Sequence, residues 1–132
     1  MDVFKTHGAF SWSELMTTDP EKAAAFYGSL FGWKLEAMPM AGDPAAGVYR
    51  VAKVGDVAVG GLAASPKGEP MPPTWGCYVT VDDVDATVAQ VQQLGGSILM
   101  PVIEIPTVGR MATIRDPQGA VLNIITYSAP AA

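Results

Sequence analysis

The chain has 132 residues, 49% of them apolar and 16% charged, with a net charge of −5. That length suits one compact domain with a full-sized core, and the apolar content argues against intrinsic disorder. The acidic balance argues against a nucleic-acid or anionic-membrane partner, which would need a basic face. A single cysteine, Cys77, leaves no intramolecular disulfide and no thiolate-rich zinc site. Inside an apolar strand run it reads as a small buried hydrophobe. The opening MDVFKTHGAF lacks the apolar core of a signal peptide, and no apolar run approaches the ~20 residues that cross a bilayer. A soluble, cytoplasmic protein is the expectation.

From Phe10 the pattern alternates, with Trp12, Glu14 and Met16 on one strand face and Ser13, Leu15 and Thr17 on the other. Thr18 or Asp19 then caps a helix whose first position suits Pro20. Ala24, Tyr27, Leu30 and Phe31 form its core-facing stripe, and Gly32 ends it. Trp33–Met38 reads as a second strand, residues 39–47 as a loop, Val48–Val54 and Val57–Ala63 as a hairpin about Gly55-Asp56. Gly60-Gly61 inside the last strand permits a bulge or a close approach. Residues 65–73, rich in proline, read as a linker.

After the linker the order repeats. Trp75–Val81 alternates, and Asp82-Asp83 caps a helix with the stripe Val84, Val88, Val91 and Leu94, followed by Gly95-Gly96. Ser97–Met100 reads as a strand, residues 101–106 as a connection, and Val108–Arg115 and Ala120–Tyr127 as a hairpin about Asp116–Gly119. Superposing Thr17 on Val81 aligns Ala24 with Val88, Tyr27 with Val91, Leu30 with Leu94 and Gly32 with Gly96. A duplicated β-α-β-β-β unit accounts for this register. The expected organisation is therefore a single domain over 1–132, with module 1 at about 9–64, the linker at 65–73 and module 2 at about 74–127.

The segment ELMTTDPEKAAAFYGSLFGW, followed by VDDVDATVAQVQQLGG and VGRMATIRDPQGAVLNII, resembles the vicinal oxygen chelate superfamily, the glyoxalase, bleomycin-resistance and extradiol-dioxygenase group. The resemblance covers about Phe10 to Tyr127. It implies an α+β fold of two tandem βαβββ modules forming cup-shaped open barrels, with a ligand cavity lined by the strand faces turned away from the helices. It also implies a homodimer in which modules of different chains complete each cavity. In enzymes of the family a divalent metal sits in that cavity. By position its ligands would fall at Trp12, Gly60 (or the adjacent Gly61), Gly76 and Asn123. None of these is a histidine or a carboxylate, so the expectation is no metal and no cofactor.

Glu14 is the most informative charge. It reads either as a base or ligand anchor in the cavity, or as a structural carboxylate paired with Arg110 or Arg50. Arg110 itself reads equally as a ligand anchor or as that partner. Trp12, Tyr49, Tyr78, Met111 and Asn123 complete the expected ligand-binding set, with Trp75 a further aromatic candidate. His7 is the sole histidine and reads as a solvated terminal residue. The preferred functional reading is metal-free binding or sequestration of a small, partly apolar organic molecule. The alternatives are a glyoxalase-like lyase or isomerase, or a dioxygenase-type enzyme, with displaced metal ligands or with Glu14 as base, and a regulatory module with a collapsed cup.

Overall fold

The computed structural model describes residues 1–39, 48–65 and 72–128. Nearly all of the loop expected at 39–47, most of the linker expected at 65–73, and the last four residues lie outside the described residues. The elements run β1 (Phe10–Thr17), α1 (Pro20–Phe31), β2 (Lys34–Pro39), β3 (Val48–Val54), β4 (Val57–Ala64), β5 (Thr74–Thr80), α2 (Val84–Gln93), β6 (Ser97–Ile105), β7 (Gly109–Arg115) and β8 (Val121–Tyr127). They fall into two compact units, one spanning Trp12–Gly76 and one joining Met1–Ser11 to the chain from Cys77 onward. The expected modules thus differ from the units at the N-terminus. Gly8 donates to the Thr80 carbonyl, the Thr80 amide donates to Ala9, the Thr80 hydroxyl donates to the Val3 carbonyl, and Phe4 packs edge-on against Tyr127.

In the Trp12–Gly76 unit the strand order is β2-β3-β4-β1, antiparallel except for the parallel β4–β1 pair. The second unit repeats it as β6-β7-β8-β5, again with one parallel pair, β8–β5. The helix starts repeat as well. Asp19 accepts the Lys22 amide at 3.0 Å and Asp83 accepts the Ala86 amide at 3.2 Å, each satisfying an otherwise orphaned helix donor. Gly32, at φ 73°, closes α1 by donating to the Gly28 carbonyl, a conformation that favours glycine.

Each helix covers one face of its own sheet. In the first unit Leu15, Ala52 and Leu62 form the buried core, packed against Ala23, Ala24 and Tyr27 of α1 and against Trp33 and Leu35. In the second, Val81, Val84, Ala112 and Ile124 pack with Val88, Val102 and Ile114. The Ser13-Leu15-Thr17 side of β1 is therefore the helix side, as its alternation indicates.

Several expectations need correction. Leu30 and Phe31 stay 58% and 57% exposed, because the last turn of α1 overhangs an open cleft rather than packed sheet. Leu94 is 77% exposed at the C-cap of α2 instead of in its core stripe. Cys77 is exposed, not buried. The stretch expected as a connection at 101–106 continues β6 to Ile105. β6 ends the strand order, where a proline is tolerated, and the register shift between Met100 and Ile103 that spans Pro101 absorbs the irregularity. Among the described residues no helix is long and apolar enough to cross a membrane.

Candidate functional site

On the face of the first sheet turned away from α1, three of the expected residues meet. Residues paired across a sheet point the same way, so the register Glu14↔Gly61 and Val51↔Gly61 places Gly61 on the Glu14 side. Tyr49, two residues before Val51, shares that side. Its ring lies directly over Gly61: a Cβ built there would sit 1.7 Å from the phenol oxygen. From this seat the Tyr49 hydroxyl accepts the Trp12 indole N–H at 2.8 Å and donates to Glu14 Oε2 at 2.8 Å. Trp12, Tyr49 and Glu14 are all half-buried. The chain Trp12–Tyr49–Glu14 is therefore a directed relay of hydrogen bonds ending on a carboxylate, with glycine giving the phenol its space.

Gly60 is on the other side. It pairs with Ala52, which belongs to the helix-side core, and it borders the cleft beneath α1. Of the two adjacent glycines, Gly61 is the one that shares the Trp12 and Glu14 face.

The face of the second sheet turned away from α2 carries Tyr78, Met111 and Asn123. Tyr78 and Met111 are buried, and the Tyr78 hydroxyl points at the Met111 sulfur, 3.8 Å away. Asn123 Oδ1 accepts the Thr113 hydroxyl at 2.7 Å, and its amide nitrogen donates to the Cys77 carbonyl at 3.3 Å. Thr113 was not among the expected residues. Its place opposite Asn123 follows from the β7–β8 register, which no short-range pattern reveals.

Arg110 is a correction. It pairs with Thr126, one position from the core residue Ile125 but on the helix side, and its guanidinium bonds both Asp85 oxygens on α2 at 3.0 and 3.1 Å. The adjacent Asp85 carboxylate raises the Arg110 pKa. Arg50, the other arginine proposed for Glu14, reaches Glu21 on α1 at 2.7 Å. His7 is exposed, and its Nδ1 accepts the Asp82 amide at 2.9 Å.

A second feature lies on the helix side of the first unit. Tyr27, Phe31, Trp33 and Trp75, with Ser13, Val59 and Gly60, line an open cleft of about 400 Å³. Trp75 stands edge-on to Tyr27 and Trp33, and its indole N–H donates to the Tyr27 hydroxyl at 3.1 Å. Trp75 thus belongs to this cleft, a grouping the linear spacing of these aromatics does not disclose.

The sequence profile of the glyoxalase/bleomycin resistance protein/dioxygenase superfamily matches residues 9–124. The chain belongs to that superfamily. A protein of Mycobacterium tuberculosis named as a glyoxylase, CFP32, is 44% identical over 119 residues, 89% of this chain and 45% of its own length. The anthracycline biosynthesis protein DnrV of Streptomyces peucetius is 32% identical over 130 residues, 89% of this chain and 46% of its own length. The chain thus spans about half the length of these curated relatives. Among solved structures, methylmalonyl-CoA epimerase from Mycobacterium tuberculosis superposes with a TM-score of 0.66 at 15% identity, covering 92% of this chain and 89% of that one. A Bacillus halodurans protein reaches 0.71 at 12% identity, covering 96% and 99%. These structural likenesses establish the α+β superfamily fold.

Proposed function

We propose that this superfamily member binds a small, partly apolar organic molecule against the Trp12–Tyr49–Glu14 face and does so without a resident metal. The observation that carries the reading is the indole N–H of Trp12 donating into Tyr49 at 2.8 Å, at the position where the family resemblance puts the first metal ligand. An indole N–H donates and cannot coordinate, Gly61 and Gly76 have no side chain, and the Asn123 carbonyl oxygen already accepts from Thr113. Among the described residues no three His, Cys, Asp or Glu side chains come together as a metal cluster. This donor set does not fit a divalent ion.

What the set does supply is an aromatic plate, a phenol and a carboxylate, the mixture of apolar area and a few fixed polar groups that small-molecule sites use. The relative named for anthracycline biosynthesis supports a polycyclic organic ligand. The test is a fluorescence titration with a panel of partly apolar organics led by an anthracycline. Saturable binding is expected, weakened at least ~10-fold by Trp12→Ala and by Glu14→Gln. No binding across the panel, or binding indifferent to both substitutions, overturns the reading.

One observation favours a second reading, an enzyme. The Tyr49 hydroxyl donates directly to the Glu14 carboxylate, and such a pair can hold and move a proton. Turnover of a bound panel member that Glu14→Gln abolishes while binding persists would favour catalysis over sequestration.

A further inference from the structure

We infer that the aromatic cleft beside the end of α1 is a second binding site, for a small organic cation that bears a quaternary ammonium group. Its walls come together from separate parts of the Trp12–Gly76 unit. Tyr27 and Phe31 stand four residues apart on α1 and so share a flank. Gly32 turns the chain so that Trp33 follows them directly, and Trp75 is the second residue of β5. Four of the seven described residues that line the cleft are therefore aromatic, and none of the seven is charged.

The rings make a corner. The plane of Tyr27 lies within 14° of Phe31 and 27° of Trp33, at centroid distances of 6.1 and 5.8 Å. Trp75 stands at 78° to Tyr27 and 79° to Trp33, at 5.4 and 6.2 Å. The indole N–H of Trp75 donates to the Tyr27 hydroxyl at 3.1 Å. Donor and acceptor each lie in the plane of their own ring, so the two rings meet at their rims and enclose a right-angled corner on the cleft.

Aromatic faces carry the negative part of the ring quadrupole, and a cation within ~6 Å of a ring centroid is attracted to it. A trimethylammonium group is compact and round, so it lies against both walls at once. A flat aromatic molecule covers one wall and leaves the other. Hydrogen bonding selects the type of ammonium. A primary ammonium brings three N–H donors, each of which needs an acceptor once it leaves water. The side chains lining the cleft offer only the Ser13 and Tyr27 hydroxyls, and the Tyr27 oxygen already accepts from Trp75. A quaternary nitrogen has no N–H to satisfy. The net charge of −5 attracts cations, and an open cleft of about 400 Å³ seats the ammonium while the rest of the molecule extends into solvent. This site is on the helix side of the sheet, opposite the Trp12–Tyr49–Glu14 relay, so the inference does not depend on the reading of that face.

Calorimetric titration of the full chain tests it, with choline chloride against the neutral alcohol in which a tert-butyl group replaces the trimethylammonium. Choline is expected to bind saturably and at least ~5-fold more tightly than the alcohol. Trp75→Leu and Phe31→Leu, at positions 39% and 57% exposed, each weaken choline binding at least ~5-fold while circular dichroism stays native. Equal affinity for the alcohol overturns the proposal, as does the absence of choline binding or an affinity that survives both substitutions. Choline binding that Glu14→Gln removes places the cation on the opposite face and overturns it too. Sedimentation with phosphatidylcholine vesicles separates a free cation from a lipid headgroup. The protein is expected to stay in solution, and capture by vesicles without binding of free choline overturns the assignment to a free molecule.

Discussion

Gly61→Ala tests whether the Tyr49 phenol really depends on the space that Gly61 leaves. The new Cβ would lie 1.7 Å from the phenol oxygen, 2.2 Å from Cζ and 2.7 Å from Cε1, so the ring has to leave its seat. Leaving it breaks the bonds to Trp12 and Glu14, both 2.8 Å. A neutral hydrogen bond contributes about 1 kcal/mol and one to a carboxylate about 1.5–3. Both groups are half-buried, so water replaces part of this, and about 2 kcal/mol is a realistic loss. Replacing glycine inside a strand recovers about 0.5–1 kcal/mol. The net expectation is a destabilisation of about 1–1.5 kcal/mol, or a Tm lower by about 4–5 °C. In a Tyr49→Ala background the obstruction is gone, and Gly61→Ala becomes neutral or slightly stabilising. Urea unfolding of the four proteins therefore gives a coupling of about 2 kcal/mol. Tyr49→Phe keeps Cζ and so does not relieve the clash, which makes it the control. A coupling below about 0.5 kcal/mol, or equal costs in both backgrounds, refutes the reasoning.

Other outcomes follow from the same geometry. Arg110→Ala is expected to leave ligand binding unchanged within about twofold, since its guanidinium engages Asp85 on the helix side; a tenfold loss in the same titration would put Arg110 back in the site. Gly109→Ala drives a Cβ to 2.2 Å from the Thr126 carbonyl oxygen, backbone that cannot rotate away, and Gly109 has φ 154°. A loss of about 2–4 kcal/mol in chemical denaturation is expected, and a change under ~0.5 kcal/mol would contradict the β7–β8 register.

Much of this was legible from local chemistry. The two Asp caps, Pro20, Gly32 and the alternation about Leu15 each express a short-range rule, and they located α1, α2 and the helix side of β1. The split of Trp12 and Glu14 from Ser13 and Leu15 was equally readable, because it depends only on the two-residue period of a strand. What was not legible depends on register or on the ends of elements. Which of Gly60 and Gly61 faces Glu14 is fixed by the bulge between Ala52 and Lys53, and a one-residue slip exchanges them. Arg110 has the spacing of a strand residue near a hairpin, and only the offset from Ile125 to Thr126 sends it to the helix side. Leu30 and Phe31 satisfy the helical stripe, yet the last turn of α1 stands over an open cleft and leaves them exposed, and periodicity carries no information about where close packing stops.

The absence of a resident metal is the central claim, and it has a direct measurement. The protein is purified without chelator, its metal content is determined by mass spectrometry, and its thermal unfolding is followed while nickel, zinc, manganese or iron(II) is titrated in. Because an ion that binds only the folded chain must raise its melting temperature, a Trp12, Gly61, Gly76 and Asn123 donor set predicts no stoichiometric metal and no saturable rise with any of the four. One ion per chain, or a saturable stabilisation that Asn123→Ala removes, would contradict the account.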